Sequence, residues 1–173
     1  MIVVTGAPRT GTSLLMQTLD RLGILVAAPA FLPQHYFMKQ FNPGGFYEFA
    51  SEDGIEDHQY KGKAVKLFGG QLVRTPKEFI KKLIWVQRDR KKAIESYEKI
   101  RSYLPYAGFT SEQIYDANVD CIRLYNFPDR ATFQLEKIQA HPDIFILDLI
   151  SYLEINPTAA QVEAAEKNII KWS

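Results

Sequence analysis

Residues 6–13 read Gly-Ala-Pro-Arg-Thr-Gly-Thr-Ser, a run whose residue types suit the grip of a phosphate-type oxyanion. Gly6 and Gly11 permit backbone turns that aim N–H groups inward at an anion. Thr12 and Ser13 add hydroxyl donors, and Arg9 adds a cation with planar, bidentate donors. The spacing is that of a nucleotide phosphate loop, G-x-x-x-x-G-K-[ST], except that Thr12 stands where the lysine would be. Enzymes of ATP and GTP use that lysine on the β- and γ-phosphates. Its loss points to a ligand with a shorter anionic tail.

A second group with chemical potential is Arg88, followed by Asp89 and, eight residues after the arginine, Ser96. Arg88 ends the apolar run Leu83-Ile84-Trp85-Val86, which reads as a buried strand. In open α/β sheets the carboxyl ends of strands are where ligands sit. Asp89 is placed to cap a following helix. Ser96 lies about two turns along it, on a face with Lys92 and Lys99, so Arg88 and Ser96 together suit one further phosphate. A surface arginine and an indifferent helical serine are the plainer alternative.

The elements that must hold these residues follow from periodicity. Residues 2–5 read as a short buried strand before the loop. A helix follows it, with Leu14, Leu15, Thr18, Leu19 and Leu22 on one stripe and Gly23 as its stop. Strands are expected at 24–27, 63–68, 83–86 and 144–147. Helices are expected at about 51–60, 76–81, after 88, after the Thr110/Gln113 capping box, at about 129–140, and from Asn156-Pro157 onward. The helix after residue 88 turns Ala93, Ile94, Tyr97 and Ile100 inward, and the one after Thr110 uses Ile114, Ala117, Cys121, Ile122 and Tyr125. Alternating strands and helices predict a three-layer α/β fold. Its central sheet is mostly parallel, of about four or five strands, with helices on both faces.

Composition sets the outer bounds. A chain of 173 residues with 46% hydrophobic residues suits one domain, 1–173, with one ordinary core. A net charge of +1 offers no electrostatic case for nucleic acid or a membrane surface as partner. Cys121 is the lone cysteine, so neither an internal disulfide nor a cysteine-based zinc cluster is available. His35, His58 and His141 have no metal-ligand spacing, and no metal is expected. No apolar run approaches the ~20 residues of a membrane span. Gly6, Pro8 and Arg9 interrupt the first apolar residues too early for a signal peptide, so the cytoplasm is the expected location.

Taken together, the two motifs resemble those of the sulfotransferase superfamily that uses 3′-phosphoadenosine 5′-phosphosulfate (PAPS). The loop at 6–13 is similar to that family's 5′-phosphosulfate loop, G-x-P-[RK]-[ST]-G-[ST]-[ST]. Arg88-Asp89 with Ser96 resembles its 3′-phosphate motif, R-[DN]-P-x5-S. Asn42-Pro43-Gly44-Gly45-Phe46-Tyr47-Glu48 is similar to the N-P-x-G-F-x-E stretch of bacterial and carbohydrate-type members, and Val65-Lys66 resembles the strand after it. Arg90 departs from the pattern by standing where the family has proline. No counterpart is evident of the glycine-and-lysine segment that many animal cytosolic members fold over the nucleotide.

The resemblance implies PAPS as co-substrate, held by Arg9, Thr10, Gly11, Thr12, Ser13, Arg88 and Ser96. It implies sulfuryl transfer to a hydroxyl of a carbohydrate or small-molecule acceptor. Glu48 is the candidate general base, with a capping or surface role as the other use of such a glutamate. Arg9 and Lys66 are the candidate stabilisers of transferring charge, although a lysine at a strand end also snorkels for packing alone. The aromatic stretch 31–49 suits either an acceptor lip or a small core beneath a loop. Two other functions stay open: a nucleotide or nucleoside kinase of the same broad fold, and a non-catalytic nucleotide-binding module.

Overall fold

The computed structural model describes residues 1–27, 40, 42, 44–48, 54–55, 58–103 and 108–172. Four strands form one parallel sheet: β1 (Ile2–Thr5), β2 (Ala64–Leu67), β3 (Lys82–Gln87) and β4 (Arg130–Gln134), in the order β2-β1-β3-β4. Seven helices accompany it in the described residues: α1 (Thr12–Arg21), α2 (Gly69–Val73), α3 (Arg90–Glu98), α4 (Ser111–Tyr125), α5 (Leu135–Ala140), α6 (Pro142–Leu153) and α7 (Ala159–Ile170). The inner strands read as continuous apolar runs because both faces of a parallel sheet are covered.

Side-chain alternation divides the core in two. Val3, Val65, Leu67, Leu83 and Trp85 face one way and pack with Ile122 and Tyr125 of α4. Val4, Ile84 and Val86 face the other way, onto Leu14, Leu15 and Leu19 of α1 and the buried residues of α6 and α7. Three layers result, with helices on both faces of the sheet. Register then aligns the carboxyl ends: Thr5 lies opposite Leu67 on one side and Trp85 on the other. The loop after β1, Lys66 near the end of β2, and Arg88 just past β3 therefore meet at one edge of the sheet.

Local signals hold where expected. Thr110 and Gln113 form the reciprocal capping box of α4, Asp89 accepts from the Lys92 amide at the start of α3, and Gly23 ends α1 with φ 88. Ala93, Tyr97 and Ile100 are buried. The 24–27 strand is reduced to a bridge, Val26 against Ala64, on the free edge of β2. Half of the helix expected at 51–60 lies outside the described residues; of the rest, Gly54 and Ile55 are not helical and His58–Tyr60 form only a short 3-10 turn. At 76–81 the structure has a short 3-10 turn, Lys77–Phe79. Helix α2 follows the β2 strand without having been expected. Ala117 is exposed, and Val119 packs in its place. The closing helix is capped by Thr158 rather than begun at Asn156.

Two expectations are overturned together. Residues 144–147 are no strand but part of α6, and residues 130–134, expected in a helix, form β4. A four-residue apolar run fits either period. Pro142 at the first turn favours a helix there. Helical spacing then buries Phe145, Ile146, Leu149 and Leu153, while Ile144 and Leu147 remain 53% and 65% exposed. The edge segment Arg130-Ala131-Thr132-Phe133-Gln134 has no strong intrinsic pattern. It becomes a strand by pairing with β3 from Leu83↔Arg130 to Gln87↔Gln134, and Arg130 lays its guanidinium 4.9 Å from the centre of the Trp85 ring. Among the described residues no helix is long and apolar enough to cross a membrane.

The helical assignment of α6 has a measurable consequence. Leu149→Ala is expected to cost about 2–5 kcal/mol in urea unfolding, and Leu147→Ala no more than about 0.5 kcal/mol. Equal losses would contradict the helix.

Candidate functional site

The turn from β1 into α1 is built around positions that exclude larger side chains. A Cβ on Gly6 would lie 2.5 Å from Thr10 Oγ1 and 2.6 Å from the Val86 carbonyl oxygen, so the loop closes directly onto β3. Thr10 donates both its hydroxyl (2.7 Å) and its amide (3.3 Å) to the Ala7 carbonyl, tying the loop into a ring. Arg9 and Gly11 take left-handed backbone angles, φ 68 and 98. Glycine adopts this without cost; for arginine it is a strained conformation held by its surroundings. Gly11 gives α1 no side-chain cap, and the first turn has no acidic residue. The leading amides of α1 thus point into the loop with no partner of their own in the helix.

Cations gather on this loop. The Arg9 guanidinium donates through Nε to Ser96 Oγ of α3 at 3.0 Å. Arg88 donates through Nη1 to the Arg9 carbonyl at 3.1 Å. Arg88 Nε stands 3.9 Å from a Glu136 oxygen, too far for a hydrogen bond, and is buried without one. Burial, and then the neighbouring Arg88 charge, lower the Arg9 pKa from its ordinary value. Among the described residues Arg9 has no carboxylate partner. Two guanidinium groups are therefore held close with little neutralisation.

On the other side of the loop β2 contributes Lys66, paired in register with Val4 and only 3% exposed. Its ammonium donates to the Phe46 carbonyl (2.7 Å), to Ser13 Oγ (3.2 Å) and to Glu48 Oε1 (3.5 Å), and lies 5.1 Å from the centre of the Phe68 ring. Ser13 donates in turn to the Phe46 carbonyl at 3.2 Å. Glu48 itself bridges to Lys66 along the outer edge of β2. Burial holds the Lys66 ammonium below its ordinary pKa, the Glu48 carboxylate opposes that, and Arg9 adds to it. The balance is reasonable in magnitude. Burying an ammonium costs several kcal/mol, while each hydrogen bond to a charged group returns roughly 1.5–3 kcal/mol, and the ion pair is long.

The structure thus brings Arg9, Thr10, Gly11, Thr12 and Ser13 together with Arg88 and Ser96 on one side and Lys66 and Glu48 on the other. Thr10 faces inward and braces the loop. Thr12 is the first residue of α1 and is buried. Ser96 lies against Arg9. An open cleft of about 550 Å³ borders the loop, lined by Ala7, Thr10 and Arg88 with Arg90, Tyr115 and Gln134. Arg90 forms a two-pronged pair with Asp116 at 3.0 and 2.8 Å.

Several participants escaped the sequence reading. Phe46 acts through its backbone carbonyl, which no residue type reveals. Glu136 reaches Arg88 from α5. Gln17, buried on α1, was detectable only as a polar residue inside an apolar face. Of the aromatic stretch, Phe46 and Tyr47 are buried and most of the rest lies outside the described residues. That includes His35, and nothing is described of the His58 side chain. His141 is exposed at the junction of α5 and α6.

No protein-family model and no curated sequence matches the chain. Its fold is similar to that of a solved structure, the sulfotransferase domain from the curacin biosynthetic pathway. The TM-score is 0.64 over 93% of this chain and 76% of that one, at 13% identity. The chain therefore has a sulfotransferase-like α/β fold.

The buried ammonium leaves a signature in stability. With a folded pKa below the ordinary 10.5, Lys66 holds fewer protons in the folded chain than in the unfolded one between those two values. Stability must then rise with pH across that window. The melting temperature of the wild type relative to Lys66→Met is expected to climb as pH rises toward the ordinary 10.5. A difference that stays flat or falls would mean the ammonium is comfortable where it sits.

Proposed function

We propose that the chain transfers the sulfuryl group of PAPS to a hydroxyl of a carbohydrate or small-molecule acceptor. One observation carries this reading: Lys66 hydrogen-bonds both to Ser13 of the anion loop and to Glu48, so a carboxylate able to take a proton stands one side chain away from the anion loop. The PAPS anion suits the residues present. Arg9 has no carboxylate partner among the described residues, Arg88 Nε is buried without a hydrogen bond, and the N-terminus of α1 is uncapped.

In this reading the acceptor oxygen forms a bond to sulfur, the bond from sulfur to the 5′-phosphate oxygen breaks, and the leaving electron pair settles on that phosphate. Arg9, the loop amides and the Thr12 and Ser13 hydroxyls stabilise the charge that develops there. Lys66 serves the transferring group from the β2 side. Arg88 and Ser96 bind the 3′-phosphate, and that remote grip fixes the sulfur in place. The acceptor proton passes to Glu48.

The kinase alternative meets a specific obstacle. In a phosphate loop of ATP enzymes the hydroxyl at the position of Ser13 ligates magnesium. Here that hydroxyl accepts from the Lys66 ammonium, a cation already standing where the metal would bind.

Thermal shift separates these readings. At about 100 times its Kd, 3′-phosphoadenosine 5′-phosphate should stabilise the chain by about 2.7 kcal/mol, several degrees for a chain of this size. ATP with magnesium, and AMP, should do far less; equal shifts from all three would sink the 3′-phosphate assignment. Glu48→Gln should keep the nucleotide shift and lose roughly 10²–10⁴ in turnover. Full turnover in that variant would remove Glu48 from the base role.

A further inference from the structure

Residue 172 lies 155 positions from Gln17 in sequence, yet its indole Nε1–H donates to Gln17 Oε1 at 3.2 Å. The other end of the same amide turns toward the segment that carries Glu48. Gln17 Nε2 donates to the Gly45 carbonyl (3.3 Å) and to Asn42 Oδ1 (3.4 Å), and Asn42 Nδ2 donates to the same Gly45 carbonyl at 2.6 Å. Gln17 and Asn42 are only 4% and 2% exposed. At that depth an amide with an unmet donor or acceptor costs the full desolvation of the group, so its orientation is tightly specified.

The backbone beyond is shaped to this contact. A Cβ on Gly44 would lie 2.5 Å from Gln17 Nε2 and 2.6 Å from its Cδ, so the turn rests directly on the amide. Gly45 has φ 106 and Tyr47 φ 54. A left-handed tyrosine persists only where its surroundings over-determine it. The Tyr47 ring is buried in the core beside α1. That bend sets the Phe46 carbonyl on Lys66 and Ser13, and Glu48 on Lys66. Trp172 is itself fixed: its carbonyl accepts from Gln139 of α5 at 2.8 Å, and its ring packs on the same core.

We infer that Gln17 and Trp172 are positioning residues for the site: the Trp172 indole N–H orients the Gln17 amide, and that amide seats the turn that delivers the Phe46 carbonyl and Glu48 to Lys66. The placement stands on geometry alone; its effect on turnover rests on the sulfuryl-transfer reading. The side-chain hydrogen bonds of Gln17 go to Trp172, Asn42 and Gly45, and none of them is to a loop residue, Arg88 or Ser96.

Three variants of the full chain test it. Trp172→Phe keeps an aromatic ring and deletes the N–H. Gln17→Glu keeps an acceptor for Trp172 and replaces the donor toward Gly45 with a second carboxylate oxygen. Thr158→Ala is the control, since it removes the N-cap of α7, the helix that leads to Trp172, and weakens it from its far end. Amide hydrogen exchange of residues 44–48 is read together with kcat and KM for PAPS, and with the melting shift caused by 3′-phosphoadenosine 5′-phosphate. Trp172→Phe and Gln17→Glu are expected to speed exchange at 44–48 and to lower kcat by roughly tenfold to a hundredfold. KM for PAPS and the nucleotide shift should stay at wild-type values. Thr158→Ala should lower the melting temperature and change neither exchange at 44–48 nor kcat.

Unchanged exchange in Trp172→Phe, or an equal acceleration in Thr158→Ala, would overturn the inference. So would faster exchange with wild-type kcat, which would leave the contact structural only. If the wild type neither responds to the nucleotide nor turns PAPS over, the functional reading fails, and exchange at 44–48 still decides whether Trp172 seats the turn.

Discussion

Positive charge concentrated around one uncapped helix start governs this molecule. Arg9 and Arg88 sit together on one flank of the loop, and the buried Lys66 ammonium closes the other. Like charges so placed repel, and burial withholds the water that would screen them. The arrangement survives because every group is braced by a neutral or weakly neutralising contact. Arg9 leans on Ser96, Arg88 on the Arg9 carbonyl, and Lys66 on the Phe46 carbonyl with Glu48 beyond. The proposed PAPS anion would relieve all three at once.

The parallel sheet is what makes this concentration affordable in space. Its register brings Thr5, Leu67 and Trp85 level, so the segments leaving β1, β2 and β3 emerge side by side. The two cores then lock the sheet between layers: α1 on the loop side, α4 and α2 on the other. Helix α1 serves both functions. Its first turn faces the loop, its apolar residues fill the core, and Gln17 on its buried surface carries a hydrogen-bonded strut to the turn that ends at Glu48.

Much of the site was legible in local order. The glycines, threonines and Arg9 lie within eight consecutive residues, and their meaning follows from that spacing between a strand and a helix. Arg88 and Asp89 were legible for the same reason: a strand end and a helix cap are local signals. The fold class followed from the alternation of strands and helices. Which segments supplied the fourth strand did not. Residues 144–147 are as apolar as any strand, and 130–134 are not. Pro142, which opens α6, favoured the helix locally, but the free edge of β3 that made 130–134 a strand lies elsewhere in the chain.

The amino-acid sequence by itself determined the glycine-bounded loop, the strand and helix that flank it, and the two cationic positions at strand ends, because each is set by neighbours within a few residues. Tertiary structure alone decided that Lys66 meets Ser13 across 53 positions, that a backbone carbonyl at Phe46 joins them across 33 from Ser13, and that Trp172 orients Gln17 across 155. Hydrogen bonds of that span leave no periodic trace. They depend on the direction of buried polar atoms, which only the packed sheet and its two cores can fix.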